Sequence, residues 1–336
     1  MKKILFLLSA YALIINCENP SRLKPIEQTR VLMDTFVQIV VYDQHLPEQQ
    51  ILKIINLCFD QIEQIEAIVS NYNDSSAIAY INRNASRCTV RLDSVLLKVI
   101  SAGQRISEQT DGAFDLSIAP VKRLWHFSEE QPSPPHPDSI RRVLSRVDYR
   151  MISIHQDSIR FLIPGMQLDL GGIAKGFAID QALLFLQSHG LKDVMVNAGG
   201  DLRATVSELT QGKRRIWIRH PRRDGQLFGS FQMDNGSIAT SGDYERFFEN
   251  DSIRYHHILD PKTGFPARQC VSVTIYTSDA MTADALATAV FVLGHEKGLQ
   301  FVNQLKDTEC VIIYDQDGKL AYNVSQGLAA SFKIEN

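Results

Sequence analysis

Apolar positions along the chain follow two periods. Ile51, Ile54, Ile55, Cys58, Ile62, Ile65 and Ile68 recur at steps of three and four, which places them on one stripe and predicts a long amphipathic helix. Over residues 31–41 the pattern is two-fold instead: Thr35, Val37, Ile39 and Val41 share one face, which predicts a strand. A second helix is expected over 94–108, with Asp93 or Ser94 as its cap. Further helices are expected over 175–188 and 282–293, and short strands over 158–163, 193–197, 215–219, 271–276 and 310–314. Between 128 and 138 lie Pro132, Pro134, Pro135 and Pro137, which predict a loop or the connection between two lobes. Strands and helices mix without a regular βαβ alternation, so the expected class is α+β.

The first apolar run changes the domain picture. Lys2 and Lys3 precede an apolar stretch over 4–15 that ends at Cys17. The stretch is too short to span a bilayer comfortably and has the build of a signal peptide. Residues 1–16 are therefore read as a signal peptide of the lipoprotein type with Cys17 lipidated, 18–29 as a tether, and 30–336 as the working domain. The implied location is the periplasmic side of the bacterial inner membrane, with the lipid as anchor. Removing residues 1–16 would take the net charge from −3 to −5. A mildly acidic chain of 336 residues with 44% hydrophobic residues is globular and offers no basic excess for nucleic acid. Cys58, Cys88, Cys270 and Cys310 form no CxxC pair, which excludes the usual zinc spacing. Cys58 and Cys310 sit in apolar patterns and read as buried thiols.

Four segments carry candidate chemistry. Leu168-Asp169-Leu170-Gly171-Gly172-Ile173-Ala174-Lys175-Gly176 has paired glycines before a helix start, an arrangement that lets an anion approach backbone amides, with Lys175 adding charge. It is neither a Walker A loop nor the Rossmann fingerprint, because both spacings are missing. A second Gly-rich turn runs from Asn197 to Asp201, where both residues either face a ligand or hold the turn. The stretch from Ser241 to Arg246 carries hydroxyls, Asp243, Tyr244 and Glu245, and is soon followed by His256-His257. Adjacent histidines on extended backbone point to opposite faces, so at most one faces a given site. Finally, Asp284 and Thr288 are four apart on an expected helix and share a face. A carboxylate and a hydroxyl are hard oxygen ligands suited to Mg²⁺, although backbone carbonyls, waters or phosphates must complete the shell.

These segments in this order resemble the ApbE family of flavin transferases. The matches are Met33-Asp34-Thr35, Ser70-Asn71-Tyr72, Thr110 to Asp115, Asp169 to Asp180, Asn197 to Asp201, Ser241 to Arg246, His257 to Gly264, and Thr282 to Thr288. The resemblance implies a two-lobed mixed fold with a flavin cleft between the lobes. It implies Mg²⁺-dependent transfer of FMN from FAD to a Thr or Ser hydroxyl of a target protein, with release of AMP. Targets implied are electron-transport subunits and flavin-carrying reductases. Magnesium ligands would be the Gly172 carbonyl, Asp284 and Thr288, with Ala287 standing where other members place a second carboxylate. FAD contacts would come from Met33, Tyr72, Asp115, Lys175 and His257. The base would be His257, whose ordinary pKa suits proton transfer near neutrality, with Asp243 as the competitor. Two rivals are an Mg²⁺-dependent FAD pyrophosphatase giving FMN and AMP, and a non-catalytic FAD-binding lipoprotein.

Overall fold

The computed structural model describes residues 24–127, 131–206 and 213–335. Its centre is an eight-stranded sheet: β1 (Ile26–Leu32), β2 (Thr35–Val41), β3 (Val194–Ala198), β4 (Asp201–Ala204), β5 (Gly236–Gly242), β6 (Ser272–Thr277), β7 (Glu309–Gln316) and β8 (Lys319–Val324). Spatial order equals chain order, and every neighbouring pair is antiparallel. The sheet is thus a meander into which other elements are inserted. The largest insertion, between β2 and β3, holds α1 (Glu48–Val69), α2 (Ser94–Gln109) and α3 (Ala174–Ser188); α4 (Ala280–Leu293) joins β6 to β7.

Both faces of the sheet are buried, which explains why its strands read as nearly continuous apolar runs. Ile39, Val196, Ile275 and Ile312 pack with α1, α3 and α4 through Ile55, Phe59, Leu183 and Phe291. Their strand neighbours Val40, Met195, Val311 and Ile313 point the other way, toward Ile216, Ile218 and Phe231 of a three-stranded sheet. Alternation of side chains along each strand enforces this division. A third cluster, Trp125, Ile140, Phe248 and Leu259 among them, packs around the Trp125 ring, whose Nε1–H donates to the Gly264 carbonyl.

The mixed α+β class holds. The strand expected over 31–41 is instead the tip and return of a hairpin. Met33 and Asp34 take positive φ of 55° and 57°, the geometry of a tight hairpin turn, without the Asn-Gly pair that usually announces it. Strand β1 also takes in residues 26–29, the end of the stretch expected to be tether; residues 1–16, Cys17 and 18–23 lie outside the described residues. The proline-rich segment ends in a short helix, Pro137–Leu144, because Pro137 sits at the first helical position where no backbone donor is needed. Cys58, Cys270 and Cys310 are buried and Cys88 is exposed, all four as free thiols.

Candidate active site

One cleft gathers eight of the nine residues singled out from sequence: Met33, Tyr72, Asp115, Gly172, Lys175, His257, Asp284 and Thr288. The ninth, Asp243, lies outside it. Its carboxylate is buried and takes two hydrogen bonds from the Arg222 guanidinium, at 2.6 and 2.5 Å, with Arg254 3.7 Å away. A carboxylate engaged in this way is a structural anchor for the loop after β5, so its candidacy as the base is set aside.

The Gly-rich segment is built by its own side chains. Asp169 accepts the Gly171 amide at 2.9 Å and pairs with Lys122 Nζ at 2.9 Å. Burial opposes the charge on Asp169, but Lys122 outweighs it and holds the carboxyl below its usual range. A Cβ placed at Gly172 would lie 3.1 Å from Thr288 Oγ1 and 3.2 Å from the Phe114 ring, so the backbone here comes up against the hydroxyl on α4. Asp284, one helical turn before Thr288, accepts the Gly176 amide at 3.0 Å. Thr288 Oγ1 has Ser241 Oγ at 3.5 Å. The Gly172 backbone, Asp284 and Thr288 therefore converge on one end of the cleft.

That end is crowded with acid. Lys175 Nζ contacts Asp201 Oδ2 at 2.6 Å, while Asp201 Oδ1 accepts the Thr240 amide at 2.9 Å. Burial disfavours the Lys175 ammonium, yet Asp201, Asp284 and Glu245 together raise its pKa above the ordinary lysine range. Asp284 is pushed up to about 7 by burial and by Asp201. Glu245, although its side chain is exposed to solvent, is also pushed up to about 7 by the protein mass around it and by Asp201, against the pull of Lys175. One lysine thus faces three carboxylates, a balance that a bound cation would complete. Among the described residues no group of three or more His, Cys, Asp and Glu side chains is arranged to hold a metal. A cation here must draw on the Gly172 carbonyl and the Thr288 hydroxyl beside Asp284, and hard oxygen donors of this kind fit Mg²⁺.

His256 and His257 do face opposite ways. His256 is buried, with Nε2 2.7 Å from the Ala267 carbonyl. His257 faces the cleft, with Nδ1 3.2 Å from the Arg246 carbonyl. Desolvation, then Lys122 and Arg246, lower its pKa to about 3. Burial and these cations favour the neutral imidazole; a carbonyl can only accept, so Nδ1–H donates to Arg246 and the lone pair lies on Nε2. Asp115 lines the wall, but its Oδ1 takes the Ser117 amide and hydroxyl and its Oδ2 the Tyr149 amide, at 2.7–2.9 Å. Its carboxylate fixes a turn as much as it faces a ligand. Tyr72 is exposed at the rim, and the Met33 amide donates to Glu66 at 2.9 Å. Asn197 holds its turn through Gly200.

Sequence reading overlooked Lys122, Arg246 and Glu245 as cleft residues. Arg246 and Glu245 stood within a named segment, but nothing in their spacing told them from Asp243. Lys122 carried no signal until the fold set it against Asp169.

The ApbE family model matches residues 33–312. An FAD:protein FMN transferase of Treponema pallidum is 31% identical, over 89% of this chain and 87% of its own length. One from Vibrio cholerae is 30% identical over 96% of this chain and 97% of its own. The crystal structure of the ApbE protein of Thermotoga maritima superposes with a TM-score of 0.82 at 32% identity, covering 92% of this chain and 99% of that one. The flavin transferase ApbE of Vibrio cholerae gives 0.81 at 26% identity, with the same two coverages. On sequence and on fold alike, this chain belongs to the ApbE family.

Proposed function

We propose that this chain is an FAD:protein FMN transferase that uses Mg²⁺, moves the FMN half of FAD onto a Thr or Ser hydroxyl of a target protein and releases AMP. The observation that carries the reading is the cleft itself: the Gly171-Gly172 turn, Lys175, the Asp284/Thr288 pair and a neutral His257 open into one space. The relatives are named FAD:protein FMN transferases, which supports the transfer of FMN from FAD to a protein.

Mg²⁺ would be held by the Gly172 carbonyl, Asp284 and Thr288, and would supply charge neutralisation at the diphosphate. Lys175, held by Asp201 and lining the cleft, would contact a phosphate oxygen. Met33 and Tyr72, which line the same cleft at the hairpin tip and the rim, would contact the ring systems, and Asp115 would contribute from the wall. In the transfer, the acceptor hydroxyl oxygen forms a bond to the phosphorus of the FMN half. The P–O bond to the AMP phosphate breaks, and the hydroxyl proton goes to His257 Nε2, whose basicity, lowered by burial, Lys122 and Arg246, the negative charge of a bound diphosphate would raise. Replacing the protein hydroxyl by water would turn the same site into a pyrophosphatase. Targets on the outer face of the inner membrane, such as electron-transport subunits, fit a lipid on Cys17.

The test is to incubate the protein with FAD and Mg²⁺, with and without a candidate target. Flavin fluorescence that stays on the denatured target, together with stoichiometric AMP, is expected. FMN and AMP formed equally without target would overturn the transferase reading in favour of the hydrolase. Asp284→Ala is expected to abolish the Mg²⁺ dependence and nearly all transfer; full transfer by that variant would remove the metal assignment.

A further inference from the structure

The family resemblance gives roles to residues that touch FAD or the metal, but it gives none to Asp180, the last residue of the Gly-rich motif. Asp180 lies on α3, is buried, and points away from the cleft into the start of α4. Its Oδ1 accepts the Ala280 amide at 2.8 Å and its Oδ2 the Met281 amide at 2.9 Å. Arg203 Nη1 completes the set at 2.7 Å from Oδ1. These amides belong to the first turn of α4, which no main-chain carbonyl of the helix can satisfy. The helix has its own N-cap as well: Asp279 accepts the Thr282 amide at 2.8 Å. Helix α4 is thus capped twice, once from itself and once from its neighbour.

We propose that Asp180 is a positioning residue for the metal end of the cleft: it locks the first turn of α4 to α3, so that Asp284 and Thr288 stand at a fixed distance from the Gly172 backbone. Three contacts lie along the same seam. Asp180 binds the start of α4, and Gly176, one helical turn earlier on α3, sits against the Ala280 carbonyl so closely that a Cβ there would lie 2.1 Å from it. The Gly176 amide then reaches Asp284 at 3.0 Å. Arg203 ties the seam to β4. Two residues earlier, on the same face of that strand, Asp201 holds Lys175. Clamp and cleft are therefore referenced to the same strand and the same helix. Removing groups that orient metal ligands from behind typically costs about 10–100-fold in metal affinity.

The inference rests on the metal assignment above, and the experiment separates the two. Mn²⁺ is titrated into the full-length purified protein, free of FAD, and free metal is counted by electron paramagnetic resonance; thermal midpoints are recorded for the same samples. The variants are Asp180→Ala, Asp180→Asn, Asp279→Ala and Asp284→Ala. Asp180→Ala is expected to weaken Mn²⁺ binding about ten- to hundredfold. Asp180→Asn, which keeps one acceptor oxygen for α4, is expected to fall between it and the unaltered protein. Asp279→Ala removes a cap from the same helix and lowers the thermal midpoint, but is expected to leave Mn²⁺ affinity within about twofold, since the Asp279 carboxylate hydrogen-bonds to Thr282 and Ser278 and not to α3. Equal loss of affinity in Asp180→Ala and Asp279→Ala would make Asp180 an ordinary helix cap and overturn the proposal. So would unchanged affinity in Asp180→Ala. If Asp284→Ala binds Mn²⁺ like the unaltered protein, the metal assignment fails instead. Should Asp180→Ala not fold, the Asp180→Asn and Asp279→Ala pair decides by the same comparison.

Discussion

Replacing Gly176 by alanine sets two physical effects against each other, and the structure says which wins. Gly176 is in the first turn of α3 with ordinary helical backbone. By propensity alone, alanine there stabilises by about 0.5–1 kcal/mol, through the smaller entropy of the unfolded chain and the better helix former. Against this, the new methyl would lie 2.1 Å from the Ala280 carbonyl oxygen and 2.5 Å from its carbon, where ordinary contact begins at 3.4 Å. The obstacle is backbone, so no rotamer can relieve it. The helices must separate by roughly 1 Å along a seam pinned by Asp180 and Arg203. Overpacking of this kind costs about 1–3 kcal/mol, and immovable backbone places the site at the upper end. The net expectation is a loss of about 2 kcal/mol, the difference between that upper end and the propensity gain. In a domain of this size this corresponds to a fall in thermal midpoint of roughly 3 °C. Thermal unfolding followed by circular dichroism, with and without Mg²⁺, reads it directly. The same separation pulls the Gly176 amide from Asp284, so metal affinity is expected to fall as well. A Gly176→Ala protein as stable as the unaltered one, or more so, would refute the close packing of α3 on α4.

Two further predictions concern protons. The His257 pKa, lowered to about 3, means that the folded protein holds this imidazole neutral where the unfolded chain would protonate it, so stability drains away as pH falls below about 6.5. His257→Gln is expected to lessen that acid loss and to abolish transfer while FAD still binds; nitrogen NMR of the ligand-free protein should show a neutral imidazole at pH 5, and an imidazolium there would contradict the assignment. Glu245 has the opposite sign. With its pKa raised to about 7, the folded state binds more protons than the unfolded state, so this group's contribution to stability declines as pH rises from about 4.5 through 7. Glu245→Gln should therefore match the unaltered protein near pH 5 and exceed it in thermal midpoint near pH 8. A midpoint difference that stays flat across that range, or reverses, removes Glu245 from the acidic end of the cleft.

What sequence could and could not reveal follows from which forces are local. Helices α1 and α2 were legible because one apolar stripe and one Asp93 cap settle them within a few turns. The strands were legible as apolar runs but not as a meander, because pairing in chain order across a 152-residue gap between β2 and β3 leaves no mark in either strand. Small elements escaped where the turn chemistry was unconventional: Met33-Asp34 turns a hairpin with two positive φ values and no glycine. The site divides the same way. Asp284 and Thr288 were found because helical spacing is local, and His256 and His257 were separated because strand alternation is local. Asp243 and Glu245 could not be ranked, since two residues of chain put one carboxylate under Arg222 and the other beside Lys175. What decides between them is Arg222, which arrives from the connection between β4 and β5 with its guanidinium already committed to Asp243. The same holds for the proton on His257: the sequence places an imidazole at the cleft, but burial first, then Lys122 from a distant segment and Arg246 from the facing arm of the neighbouring hairpin, set its charge. Identity of a reactive group is therefore written locally in this chain, whereas its protonation is fixed by the burial and the neighbouring charges that the fold sets around it.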